Sequence, residues 1–140
     1  MGRLKKASNG GIVMTTATAI SNAGTLLKIT TTADTCDVVG AGEYPDGYAF
    51  TDTKDPQTGI ATANVPVTIM PLSAGEVVDM VLPATHSAVT VGALMETAAA
   101  GTVVTKSGAG QIVGKALEAI PENTGGLVRV YVIPTYYASS

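Results

Sequence analysis

The 140-residue chain has no tryptophan, one phenylalanine, one histidine and one cysteine. Each scarcity excludes something. With aromatics at only 4%, the core has to be built from Val, Ile, Leu, Met and Ala. A globule of this length buries roughly 68% of the surface its unfolded chain exposes, and an aromatic side chain normally contributes ~150–250 Å² to that burial. The aliphatic core is therefore thin, and association with copies of itself or with a larger partner is the expected way to gain area. The lone Cys36 excludes an intrachain disulfide and every multi-cysteine metal pattern; it reads as a small buried hydrophobe. No apolar run approaches the ~20 residues needed to cross a bilayer. The N-terminus carries no apolar segment after its basic residues, so no secretory signal is expected, and Lys6 stands where a myristoylation motif wants Ser or Thr.

Acidic residues are missing from the front of the chain. Arg3, Lys5 and Lys6 are three of the eight basic residues, whereas all eleven acidic ones lie at or beyond Asp34. The result is an acidic body with a basic N-terminal arm. Such a body repels nucleic acid, whose binding is dominated by phosphate neutralisation.

What the chain does have is Val and Thr in short runs bounded by Gly, Pro, Ser and Asn. Ser73–Pro83, Val89–Thr97, Thr102–Thr105, Gln111–Glu118 and Leu127–Pro134 are written as successive antiparallel strands with tight connections. In the last of these Val128, Val130 and Val132 alternate with Leu127, Arg129, Tyr131 and Ile133, so the valines share one face and form the best core row. Earlier strands are expected at Leu26–Thr32, Tyr48–Thr51 and Val65–Met70, where Pro66 demands an edge or the strand start. Asp34 to Gly47 reads as loop. Ala93–Ala100 has high helix propensity between the strand-favouring Val89–Val91 and Val103–Val104; the passage reads as strand, Ala/Gly turn, strand, with a short helix as the alternative, and Ile112–Ile120 allows a helical turn. The fold class is all-β, a small antiparallel barrel or sandwich: residues 1–24 form an extended, partner-dependent arm, and residues 25–140 form a single β-rich domain.

Two blocks follow one plan. Gly47-Tyr-Ala-Phe, a Pro56-Gln-Thr-Gly59 turn and Val65-Pro-Val-Thr-Ile-Met-Pro71 match Gly114-Lys-Ala-Leu, Pro121-Glu-Asn-Thr-Gly125 and Val128-Arg-Val-Tyr-Val-Ile-Pro134. Each is a hairpin in which glycine permits close backbone approach and the final proline stops the ladder.

Catalytic chemistry finds little to work with. A Ser-His-Asp arrangement needs His86, yet Ser87 beside it points to the opposite face of an extended segment, and no Gly-x-Ser-x-Gly elbow exists. Asp46, Asp52 and Asp55 depart from the EF-hand spacing and read as turn formers. Gly108-Ala-Gly110 lacks the ending of a phosphate loop, and Glu118 with Glu122 has no apolar pocket to separate two pKa values. No enzyme, cofactor or metal is expected. Tyr131, Tyr136 and Tyr137 suit a subunit interface, since tyrosine tolerates one wet edge.

The repeated plan, with Ser73-Ala-Gly-Glu-Val-Val78, Val89-Thr-Val-Gly92, Gly110-Gln-Ile-Val-Gly-Lys-Ala-Leu-Glu118 and Gly126-Leu-Val-Arg-Val-Tyr-Val-Ile133, resembles the small capsid decoration, or cement, proteins of tailed bacteriophages and related viruses. The resemblance spans about Gly47 to Pro134 and leaves residues 1–46 unmatched. It implies a β-tulip-like domain that assembles as a homotrimer on the outer surface of the virion capsid and bridges neighbouring major capsid subunits, with neither nucleic acid nor membrane as partner. The arm would then supply the capsid contacts, Leu4, Ile12 and Met14 as apolar anchors and Arg3, Lys5 and Lys6 as charges, by adding a strand to an exposed sheet edge. The alternative from another class is a glycan-recognising β-sandwich, for which Tyr44, Tyr48 and Phe50 offer the aromatic platform.

Overall fold

The computed structural model describes residues 5–6, 10–108 and 110–133. Eleven strands are arranged in two sheets: β1 Lys5–Lys6, β2 Ile12–Thr16, β3 Leu26–Ile29, β4 Thr35–Val38, β5 Gly47–Ala49, β6 Pro66–Pro71, β7 Val77–Leu82, β8 Leu94–Thr97, β9 Val103–Thr105, β10 Ile112–Ala116 and β11 Gly126–Val132. The fold is all-β, and the only helical element among the described residues is a 3-10 turn at Ala99–Gly101.

The first sheet runs β2-β4-β3-β5-β6 and closes on itself because β6 also pairs with β2, Ile12 opposite Ile69 and Met14 opposite Val67. Closure leaves this five-stranded barrel without a free edge, apart from the short β1 added outside β2. Its interior is filled by Met14, Ile20, Leu27, Cys36, Ala49, Val67 and Ile69. The second sheet is open and antiparallel, in the order β7-β11-β10-β8-β9. Its inner face carries Val78, Met80 and Leu82 of β7, Met95 of β8, Val113 of β10 and the row Val128, Val130 and Val132. Leu26 and Val39 of the barrel complete that second core. Adjacent residues of a strand face opposite sides, so Leu27 fills the barrel while Leu26 seals the seam between the two units.

Four sequence expectations are corrected. The Asp34–Gly47 stretch is loop only in its second half, where Gly40, Gly42 and Pro45 stand; Thr-Cys-Asp-Val before them forms β4. The hairpin of β3 and β4, turning through Asp34 at φ 55°, inserts β4 beside β2 in parallel, Thr15 opposite Thr35, so the architecture is not wholly antiparallel. Val89–Val91 contributes only an isolated bridge to Ile120, and the strand forms instead at Leu94–Thr97, where pairing with β9 and β10 overrides helix-leaning propensity. Finally, residues 12–24 are part of the barrel rather than an extended arm: β2 pairs on both sides, and Met14 and Ile20 are buried.

β5–β6 is a hairpin of the barrel and β10–β11 is the corresponding hairpin of the second sheet. Gly47 lies opposite Pro71, whereas Gly114 lies opposite Val132, the counterpart of Ile69; the two registers differ by two residues, which keeps every side chain on its face. Both glycines are needed for the same reason. A Cβ at Gly47 would lie 2.4 Å from the Met70 carbonyl oxygen, and one at Gly114 2.2 Å from that of Tyr131. Pro66 is the first residue of β6, as its missing N–H requires.

Candidate functional site

The residues expected to grip a capsid fall into three groups. Arg3 and Leu4 lie outside the described residues, as do Tyr136 and Tyr137 of the expected subunit interface. Lys5 and Lys6 form β1, opposite Val13 and Ile12. Met14 is buried in the barrel and Ile12 packs half-buried against its core, so these two hold the fold and do not present anchors to a partner. Tyr131 is exposed on the outer face of β11, 42% accessible, where the alternation of that strand places it.

That outer face is the most structured surface of the second sheet. Across β7 and β11, Tyr131 lies opposite Val77, Arg129 opposite Asp79 and Leu127 opposite Val81. Val77, Leu127 and Tyr131 are each about half exposed, as is Leu117 just beyond β10. Between the apolar pairs, Arg129 Nε donates to Asp79 Oδ1 at 3.4 Å, with both side chains at least half exposed. An exposed cross-strand pair of this kind stabilises by no more than ~1 kcal/mol. Glu118 accepts a hydrogen bond from the Arg129 amide at 2.9 Å, which occupies one oxygen of its carboxylate in the ladder.

Where this face meets the barrel there is a groove of about 290 Å³, lined by Tyr48, Phe50, Val77, Asp79 and Leu127 around Ala23 and Gly24. Tyr48 and Phe50 are two residues apart on either side of the buried Ala49, so both project from the barrel's outside. Burial, and then the nearby charge of Glu76, push the Tyr48 phenol above its ordinary range. It therefore remains a neutral donor at physiological pH. The aromatic trio read from the sequence is thus divided: Tyr48 and Phe50 share the groove, while Tyr44 is exposed elsewhere. The contribution of Val77, Asp79 and Leu127 was not readable from the chain, because only the packing of the sheet on the barrel brings them to β5.

A second cleft of about 220 Å³ lies on the other side of the seam, lined mainly by Thr18, Ile20, Asn22, Thr25, Val81 and Thr102. Its hydroxyls are largely engaged: Thr18 donates to Asp37, Thr25 to the Asn22 carbonyl and Thr102 to the Ala99 carbonyl.

The catalytic candidates are structural. His86 is buried, its Nδ1 2.7 Å from the Ser87 carbonyl oxygen and its Nε2 2.8 Å from that of Thr124. Asn123 and His86 exchange two further bonds, Asn123 Oδ1 accepting from the His86 amide and the Asn123 amide donating to the His86 carbonyl. The ring ties the segment after β7 to the turn before β11. Asp52 and Asp55 accept from the amides of Lys54 and of Gln57 and Thr58, which are the turn-forming roles expected of them. Asp46 caps the barrel end by accepting from the Ile29 amide at 2.7 Å. Among the described residues no three His, Cys, Asp or Glu side chains converge as a metal site would require.

No protein-family model matches the chain, and no curated protein matches it significantly in sequence. Among solved structures, the fold is similar to the crystal structure of the N base of the head fiber gp8.5 of bacteriophage phi29, with a TM-score of 0.59 and 21% sequence identity over 89% of this chain and 94% of that one. The two-unit β architecture of this protein is therefore similar in fold to the phi29 head fiber base.

Proposed function

We propose that the protein is a virion structural protein that binds the outer surface of an assembled phage capsid and stabilises the shell by bridging neighbouring major capsid subunits. The observation that carries this reading is the fold likeness to a phage head fiber base across nearly the full length of both chains. Two properties of the chain support it: a thin aliphatic core and a basic N-terminal segment on an acidic body. A ligand that binds only the assembled shell shifts assembly toward it by mass action. Many copies then give a large total stabilisation from modest single contacts. No catalytic step is assigned.

The N-terminal segment is the proposed grip. β1 is an outermost strand, and an edge strand carrying lysines can add to an exposed sheet edge of an acidic partner. Co-sedimentation of the purified protein with empty heads of its own virus tests the reading. Saturable binding, with heads surviving higher temperature when decorated, is the expected result; protein that stays in the supernatant at all concentrations overturns it.

A further inference from the structure

We propose that the groove between barrel and second sheet is a saccharide-binding site, a function separate from capsid attachment and independent of it. The groove offers two aromatic side chains, Tyr48 within β5 and Phe50 just past its end, an aliphatic wall of Val77 and Leu127, and the carboxylate of Asp79 at its border. Arg129 stands beside that carboxylate, so acceptor and donor are held together at the rim. A pyranose ring has the matching chemistry. Its C–H faces carry partial positive charge that suits the negative face of an aromatic ring, and its vicinal hydroxyls both donate and accept, as a carboxylate paired with a guanidinium requires.

Size and polarity support the same occupant. At about 290 Å³ the groove stands at the small end of ligand sites, which run to roughly 300–1,000 Å³. The Asp79–Arg129 pair interrupts the apolar row between Val77 with Tyr131 and Val81 with Leu127. A dry protein face laid over it would strip the hydration from two half-exposed charges. A hydroxyl-rich ligand replaces that water group for group.

The test is saturation-transfer NMR on the intact protein with the methyl glycosides of glucose, galactose, mannose and N-acetylglucosamine, at millimolar concentration. The expected result is transfer to the ring C–H protons of at least one glycoside, with affinity about tenfold weaker in Phe50→Ala and in Asp79→Asn. Ile60→Ala, exposed and not among the residues of the groove, should bind as the parent does. Asp79→Asn keeps the side chain's shape, so its thermal midpoint certifies the fold. Absence of transfer to all four glycosides overturns the proposal, and transfer that survives both groove variants overturns the placement. If light scattering shows that Phe50→Ala dissociates an oligomer while no glycoside gives a signal, the face belongs to a second copy of the chain and the proposal fails.

Discussion

Burial pushes the Cys36 thiol from 9.0 up to about 11, against a smaller opposing hydrogen bond from Thr16. A group whose folded pKa is raised contributes stability that is whole below its unfolded pKa and is lost as pH rises through the folded one. The window here is pH 9 to 11, and the loss across it is on the order of 2–3 kcal/mol. Urea midpoints should therefore fall more steeply over that range for the wild-type protein than for Cys36→Ala, which has no thiol to ionise. The same burial should leave the native thiol unmodified by iodoacetamide at neutral pH, with rapid labelling only in denaturant. His86 is the second residue whose environment sets its worth. Replacing it with alanine leaves the Thr124 carbonyl without its ring partner and opens the tie between two loops, at an expected cost of about 1–3 kcal/mol in denaturant unfolding. Saccharide binding should not change, since the ring is remote in contact terms from every residue of the groove.

At the scale of the element, the glycines of the two hairpins make a stronger prediction than the valines around them. Gly114→Ala drives a methyl group to 2.2 Å from a backbone oxygen of the neighbouring strand, so β10 and β11 must part. The expected loss is about 1–3 kcal/mol or more, the scale of overpacking in a fixed core. Gly108→Ala meets nothing within 4 Å and should be neutral or slightly stabilising, which makes it the matched control in the same thermal melts. These hairpins were legible in the sequence because period-2 alternation, a turn cluster and a strand-ending proline all agreed. The row Val128, Val130 and Val132 is fully inward for that reason. β4 was illegible because four residues cannot establish a period, and the glycines and proline that follow Val38 dominate any local reading. β8 was misplaced for a different reason: its Leu-Met-Glu-Thr sequence carries no strand signal, and only the ladders on either side make it one. Its Glu96, buried where a surface carboxylate would be expected, is matched by the Gly110 amide 3.1 Å away, a contact that no spacing rule reveals.

At the scale of the whole molecule, the front of the chain is where sequence and structure diverge, and the divergence changes what an experiment on it means. Small polar residues up to Gly24 read as an arm because they have too little apolar area to order themselves. Among the described residues, Met14 and Ile20 are nevertheless buried in the barrel, Ile12 packs against its core, and β2 is the strand through which the barrel closes. The candidate surface was half legible in the same way. The alternation of β11 placed Tyr131 and Leu127 outside, but the meeting of Leu127, Val77 and Asp79 with Phe50 depends on a seam that joins residues far apart in the chain. Two truncations separate the roles. Deleting residues 2–9 removes β1 and the basic residues and spares every strand of the closed barrel. That protein should keep its thermal midpoint within a few degrees yet lose co-sedimentation with heads, if the basic segment is the grip. Deleting residues 2–14 also removes the portion of β2 opposite Val67, Thr68 and Ile69. Loss of a buried methionine alone costs about 2–5 kcal/mol, comparable to the whole stability of a small domain at about 5–15 kcal/mol, so this protein should be unfolded or aggregated and its failure to bind heads would carry no information. Binding that survives the shorter deletion would rule the basic segment out as the grip.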